Sequence, residues 1–247
     1  MSLTRVSASA GRVIDLSSLN ASSTHSTPVS GDAFFTTESG SSLTQGMRSF
    51  GRLWDPICYI GTDILPTATW TAKGESKGVA ISSVDVTRNG ETLPAYRGVM
   101  SGVTGISVDQ FRKAVMDIQG YKGGLKYVED IRVQSDGAYY QYLDFGWGIK
   151  RHNVLTLKEE AAGAGIVRIS WAKKKISDYS SLTEVASNAV ECPVNEGYWE
   201  FDSNKGTITQ VVLCKTGGSI PSSMANAATS DALPGNISGM LAYTKKH

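Results

Sequence analysis

The chain of 247 residues is 40% hydrophobic and 19% charged, with a formal net charge of +1. A chain this long can bury roughly 70–75% of its unfolded surface, as one large domain or a domain with a tail. Near-neutrality gives no long-range field and argues against nucleic acid as a partner, and no apolar run approaches ~18 residues, so no helical membrane span is expected.

Residues 1–30 are dense in Ser, Thr and Ala with little apolar periodicity, and read as a low-complexity arm before a domain covering residues 31–247. The stretch Met1 to Arg12 lacks the apolar core of a secretory signal, so a cytoplasmic setting is expected. Leu43, Met47, Phe50, Trp54 and Ile57 recur at spacings of four and three, the mark of a one-faced helix that ends or kinks near Pro56. From Thr67 the period falls to two. Val79, Ile81, Val84 and Val86 lead to Asn89-Gly90, a strong hairpin signal, and Thr92–Ser101 forms the returning arm. Ser107 and Gln110 then make a capping box ahead of a helical stripe of Val108, Phe111, Val115 and Ile118.

After Gly120–Gly124 the pattern is strand again. Leu125–Gln134 and Ala138–Trp147 are joined by Ser135-Asp136-Gly137, and His152–Glu159 and Ile166–Ala172 by the turn Ala161–Gly165. In the last of these, Val167, Ile169 and Trp171 alternate with Arg168 and Ser170, as in a half-buried strand. Lys173–Asn195 reads as a polar connection with a short helix at Leu182–Val190. A final hairpin, Gly197–Phe201 and Ile208–Cys214 about an Asp202–Gly206 turn, feeds a C-terminal helix. Ser219 is placed to cap that helix, Pro221 lies just inside its start, and Pro234-Gly235 invites a kink or break. Strands joined by turns, with helices set apart from them, predict an α+β fold: one curved antiparallel sheet with helices on one side.

Several strings in this order resemble the START (steroidogenic acute regulatory protein-related lipid-transfer) domain of the helix-grip, Bet v 1-like superfamily. Trp70 with Gly78-Val79-Ala80-Ile81 is similar to the family's opening Trp and following strand. Tyr121 to Val133, Tyr139-Tyr140 and Trp147-Gly148-Ile149 are similar to its helix-to-strand passage and Pro-Trp-Pro region. Gly197-Tyr198-Trp199 and Gly218-Ser219-Ile220-Pro221-Ser222-Ser223-Met224-Ala225-Asn226 match its ending most closely. The likeness covers roughly residues 40 to 243. Two departures stand out: the family's Arg-Asp pair falls near His152-Asn153, with Arg151 beside them, and Tyr121-Lys122-Gly123 replaces a common Trp. The resemblance implies a helix-grip fold, with the sheet wrapped around a long C-terminal helix and an N-terminal helix ahead of it. It also implies a monomer without a cofactor that holds a lipid or sterol between sheet and helix and touches membranes transiently.

The residues themselves offer little catalytic chemistry. His25, His152 and His247 cannot assemble a metal cluster, and a nucleophile would have to use His152. Ser101–Thr104 lacks the Gly-x-Ser-x-Gly elbow, and Gly120, Gly123 and Gly124 lack the Gly-Lys-Ser/Thr ending of a phosphate loop. Lys173-Lys174-Lys175 is either a solvated strand end or a contact for acidic headgroups. Cys58, Cys192 and Cys214 have no Cys-x-x-Cys spacing and read as small hydrophobes, although Cys192 and Cys214 flank the last hairpin and could approach one another.

Binding is better provided for. Ile220, Met224, Ala225, Ala228, Leu233, Ile237, Met240 and Leu241 give the C-terminal helix an apolar side whose small and flexible members pack loosely and leave room for a guest. Met224, Ala228, Ile237 and Met240 are its candidate ligand contacts. Within the sheet Tyr127, Tyr140, Tyr142, Trp147, Arg151, His152, Arg168, Trp171 and Tyr198 are the polar-tipped or charged groups that could face a cavity, strand parity deciding which do. Two other classes stay open: an enzyme on the same scaffold, such as a polyketide aromatase or cyclase using His152, Arg151 or cavity tyrosines, and an interaction module with a filled core.

Overall fold

The computed structural model describes residues 68–88, 90–146, 148–182 and 188–247. The Ser/Thr-rich arm, the helix expected over 43–57, Trp147 and part of the stretch 182–190 lie outside them. Among the described residues the strands are β1 (Thr71–Ser76), β2 (Val79–Arg88), β3 (Glu91–Ser101), β4 (Val128–Val133), β5 (Tyr139–Asp144), β6 (Lys150–Glu160), β7 (Ile166–Lys174), β8 (Val190–Glu191), β9 (Val194–Asp202) and β10 (Thr207–Lys215). Two α-helices join them, α1 (Val108–Met116) and α2 (Ser222–Thr244). The strands form one curved sheet in the order β1-β2-β3-β10-β9-β7-β6-β5-β4, with every neighbouring pair antiparallel. The α+β architecture expected from the sequence is the one observed.

Local chemistry accounts for most boundaries. The Ser107 box closes as expected: Gln110 N–H donates to Ser107 Oγ at 3.1 Å, and Ser107 N–H donates to Gln110 Oε1 at 2.9 Å. Phe111, Ala114 and Val115 then turn one face of α1 into the core. Four expectations shift. Leu125–Tyr127 is a turn, and the strand begins at Val128. At the far end of the 182–190 stretch, Val190–Glu191 is strand rather than helix. There β8 pairs parallel with Arg151 and His152, filling the side of β6 that β7 has left. The last helix begins at Ser222, with Pro221 in the capping position and no side-chain cap. The Pro221 carbonyl accepts from Met224 and Ala225 N–H at 3.0 and 3.1 Å, so Ser219 stands outside the helix, after the left-handed Gly217 and Gly218. Finally, α2 runs unbroken through Pro234.

Both helices pack on the same face of the sheet, its inner face. The shared core joins Phe111 and Val115 of α1, Ile237 and Met240 of α2, and Val79, Tyr139, Leu155, Ile169, Trp199 and Ile208 of the sheet. α2 crosses closest to the sheet at Gly98, where a Cβ would stand 2.8 Å from the Ile237 side chain. The outer face is not bare. Tyr140 and Val154 are covered by Ile176 and Leu182 from the connection after β7, and Leu93, Ala95, Val211 and Leu213 form a further apolar patch with Trp70. On that side the ion pair Arg168–Glu200 at 2.7 Å joins the neighbouring β7 and β9, and Arg88–Glu196 at 2.6 Å reaches from β2 over β3 and β10 to β9.

Candidate ligand cavity

Where α2 presents Ile237 and Met240 the interior is solid. One to two turns earlier its inward positions are Ala228, Thr229 and Ala232, too short to reach the sheet, and a hollow of about 120 Å³ remains. Its walls are the inner-facing side chains of six strands: Val128 on β4, Tyr139, Gln141 and Leu143 on β5, Leu155 and Leu157 on β6, Trp171 on β7, Asn195 and Trp199 on β9, and Gln210, Val212 and Cys214 on β10. Leu125 to Tyr127 and Phe145 close the side. A second recess of about 350 Å³, lined by Ile149, Ile220, Met224 and Ala225 among others, lies beyond and shares Tyr127, Phe145 and Ala228 with the first. Met224 stands at this outer rim, 48% exposed.

The Trp171 ring lies across β9 at Gly197, where a Cβ would come within 2.4 Å of it. Its indole N–H donates to Asn195 Oδ1 at 3.0 Å, which ties the floor of the hollow together. Other groups on the inner face are less well served. Gln210 Oε1, both amide atoms of Asn153 and Arg151 Nε are buried with no hydrogen-bond partner in the protein. Cys192 and Cys214 are free thiols, so no bridge joins them. They lie side by side, and the Cys192 sulfur together with burial pushes the Cys214 thiol well up.

The rim between hollow and recess is held by a polar clasp. Lys126 N–H donates to Asn236 Oδ1 at 2.9 Å, Lys126 Nζ pairs with Asp231, and Tyr127 Oη donates to Asp231 Oδ2 at 3.2 Å. The Lys126 ammonium holds the Asp231 carboxyl below the usual carboxylate range. Tyr127 itself is left-handed, φ 70°, an unusual conformation for an aromatic residue, and its ring packs 4.7 Å from that of Phe145.

Of the sequence candidates, Tyr127, Trp171, Met224 and Ala228 line the hollow or its recess. Ile237 and Met240 are fully buried in the solid core beyond it. Arg151 faces inward, its guanidinium donating to the carbonyls of Lys150 at 2.7 Å and Gly217 at 2.9 Å. Tyr140, Tyr142, His152, Arg168 and Tyr198 lie on the outer face, which strand parity alone had left open. Tyr140 and His152 meet there at 3.4 Å between Oη and Nδ1, and burial holds the imidazole below its usual value. Arg168 stacks 5.0 Å from the Tyr198 ring. Of the three lysines, Lys173 pairs with Glu191 at 2.5 Å and Lys174 lies 3.7 Å from Asp136.

Sequence reasoning missed Gln141, Leu155, Leu157, Asn195, Trp199 and Gln210. Trp171 could have led to some of them, because its cross-strand partners are Leu157 and Gly197, which puts Asn195 and Trp199 on the same face. No comparable signal exists on β5. Its first three residues are all buried, so alternation is invisible there.

Neither a protein-family model nor a curated protein matches the sequence. Solved structures do. The STAR-related lipid transfer protein of Xanthomonas axonopodis superposes with a TM-score of 0.58 at 20% identity, over 71% of this chain and 98% of its own. Human STARD10 gives a TM-score of 0.58 at 16% identity, over 72% of this chain and 74% of its own. The lipid transfer and protein localization domain of human StarD13 gives 0.57 at 10% identity, over 72% and 91%. At such identities the likeness speaks for architecture, which the strand order and the grip of the sheet on α2 bear out independently. The chain has the START-like helix-grip fold.

Proposed function

We propose that this chain binds an apolar small molecule, a lipid or a sterol, between its sheet and α2, and carries it. One observation supports the reading above the others: the inward side of α2 is built from Ala228, Thr229 and Ala232 opposite a wall of Leu143, Leu155, Leu157, Trp171 and Trp199. Small side chains facing large apolar ones enclose space that a core built for stability alone would fill. The likeness to solved lipid transfer proteins favours the same use of the space.

The driving force is burial, about 0.8 kcal/mol for each methylene taken from water. Ligand pockets usually offer about 300–1,000 Å³. The inner hollow of about 120 Å³ falls short alone and reaches that scale with the adjoining recess of about 350 Å³. Loading then requires α2 to lift at Gly217-Gly218 and the Lys126–Asp231 clasp to open. The carrier acts as a monomer and touches membranes transiently through the Met224 rim.

An enzyme using His152 finds less support, since that imidazole is buried on the outer face against Tyr140. Native mass spectrometry of the full chain, before and after delipidation, tests the proposal. Co-purified lipid, removed by delipidation and restored by incubation with vesicles, is the expected result. Delipidated protein that takes up nothing from vesicles of mixed phospholipid, fatty acid and sterol overturns it.

A further inference from the structure

Beside the hollow, on the same inner face of the sheet, lies a cluster of polar groups that the fold does not satisfy. Asn153 stands on β6 directly across from Gln141 and two residues from Leu155, both of which line the hollow, so its amide is the next inner side chain along the floor. It is 0% exposed, and neither its Oδ1 nor its Nδ2 has a hydrogen-bond partner. The Cys192 thiol lies beside it without reaching hydrogen-bond geometry. Arg151, two residues away on the same face, is 4% exposed. Two of its nitrogens donate to carbonyls while Nε–H donates to nothing, and none of the ion pairs among the described residues includes it.

Leaving a buried amide unpaired is unfavourable, and leaving a buried guanidinium without an anion is more so. Two adjacent groups with spare donors, one of them cationic, beside an apolar hollow fit a small anionic acceptor. A carboxylate engages a spare donor on each: one oxygen accepts from Arg151 Nε–H, the other from Asn153 Nδ2–H. The volume of the hollow limits the tail that such a head can carry. A cavity of about 150 Å³ admits benzene, so the inner 120 Å³ suits one alkyl chain rather than a fused ring system.

Building on the carrier reading, we propose that the ligand is a single-chain fatty acid whose carboxylate docks on Arg151 and Asn153, with its chain running past Trp171 toward Ala228. The probes are dodecanoate and dodecanol, titrated at pH 7.5 into delipidated full-length protein by calorimetry. Wild type is expected to bind the acid at least tenfold more tightly than the alcohol. Arg151→Met and Asn153→Leu should each abolish that preference. Asn153→Leu removes an unpaired amide at similar volume, so it is also expected to melt no lower than wild type. That keeps the test decisive if Arg151→Met does not fold. Equal binding of acid and alcohol by wild type, or a preference that survives in Asn153→Leu, overturns the head site and leaves the carrier reading standing. Binding of neither probe counts against the carrier reading and this inference together.

Discussion

Replacing Ala228 by phenylalanine should fill the space where hollow and recess meet and so separate folding from binding. Ala228 lines both volumes, so a ring there projects into the path between them. Residual cavities cost about 24 cal/mol per Å³, so for a hollow of about 120 Å³ the ceiling on what filling it can return is ~3 kcal/mol. At about 2–4 °C per kcal/mol for a domain of this size, the delipidated variant should melt up to ~6–12 °C above delipidated wild type. Ligand at a hundredfold excess over Kd stabilises wild type by a similar ~2.7 kcal/mol. The assay is therefore a paired thermal melt with and without dodecanol. Wild type should rise on adding ligand, and Ala228→Phe should start high and not move. A variant that keeps the wild-type ligand shift refutes the placement of the site. One that melts lower by more than the ~1–3 kcal/mol of ordinary overpacking refutes the presence of usable space.

Two further outcomes concern the rim and the outer face. Asp231→Asn weakens the clasp to Lys126, so transfer of a fluorescent fatty acid from vesicles should accelerate several-fold, while the exposed pair contributes under ~1 kcal/mol to stability. Because the folded Asp231 pKa is lowered, the clasp is intact above the free carboxyl value near 3.9 and fails as pH drops through the folded value, so only in that acid range should wild-type and variant rates converge. The His152 pKa is also lowered, by burial, so the unfolded chain takes up the proton first: stability holds above about 6.5 and declines as pH falls below it. In His152→Gln the melting temperature should lose that slope, and an unchanged slope would assign the pH dependence to other groups.

Much of the architecture was legible because its signals are local. The Ser107–Gln110 box, the returning arm after Asn89-Gly90 and the final hairpin each depend on residues within a few positions of one another. Their backbone preferences act before any tertiary contact forms. The Ser219 cap failed for an equally local reason: two left-handed glycines and an extended Pro221 move the cap from Ser219 to Pro221.

The cavity was legible only in part. Small residues on the last helix marked where room would be left, and that pattern belongs to the sequence alone. Which side of β5 and β6 meets that room is another matter. The connection after β7 folds back over Tyr140, His152 and Val154, so both faces of these strands are buried and the period of two that distinguishes inside from outside disappears. Sequence by itself determined the order of elements and the loosely packed helix, since propensity and spacing act along the chain. Only the tertiary structure decided that Asn153, Gln141 and Trp171 share the inner face while His152 and Arg168 do not, because strand parity is set by what packs against each face.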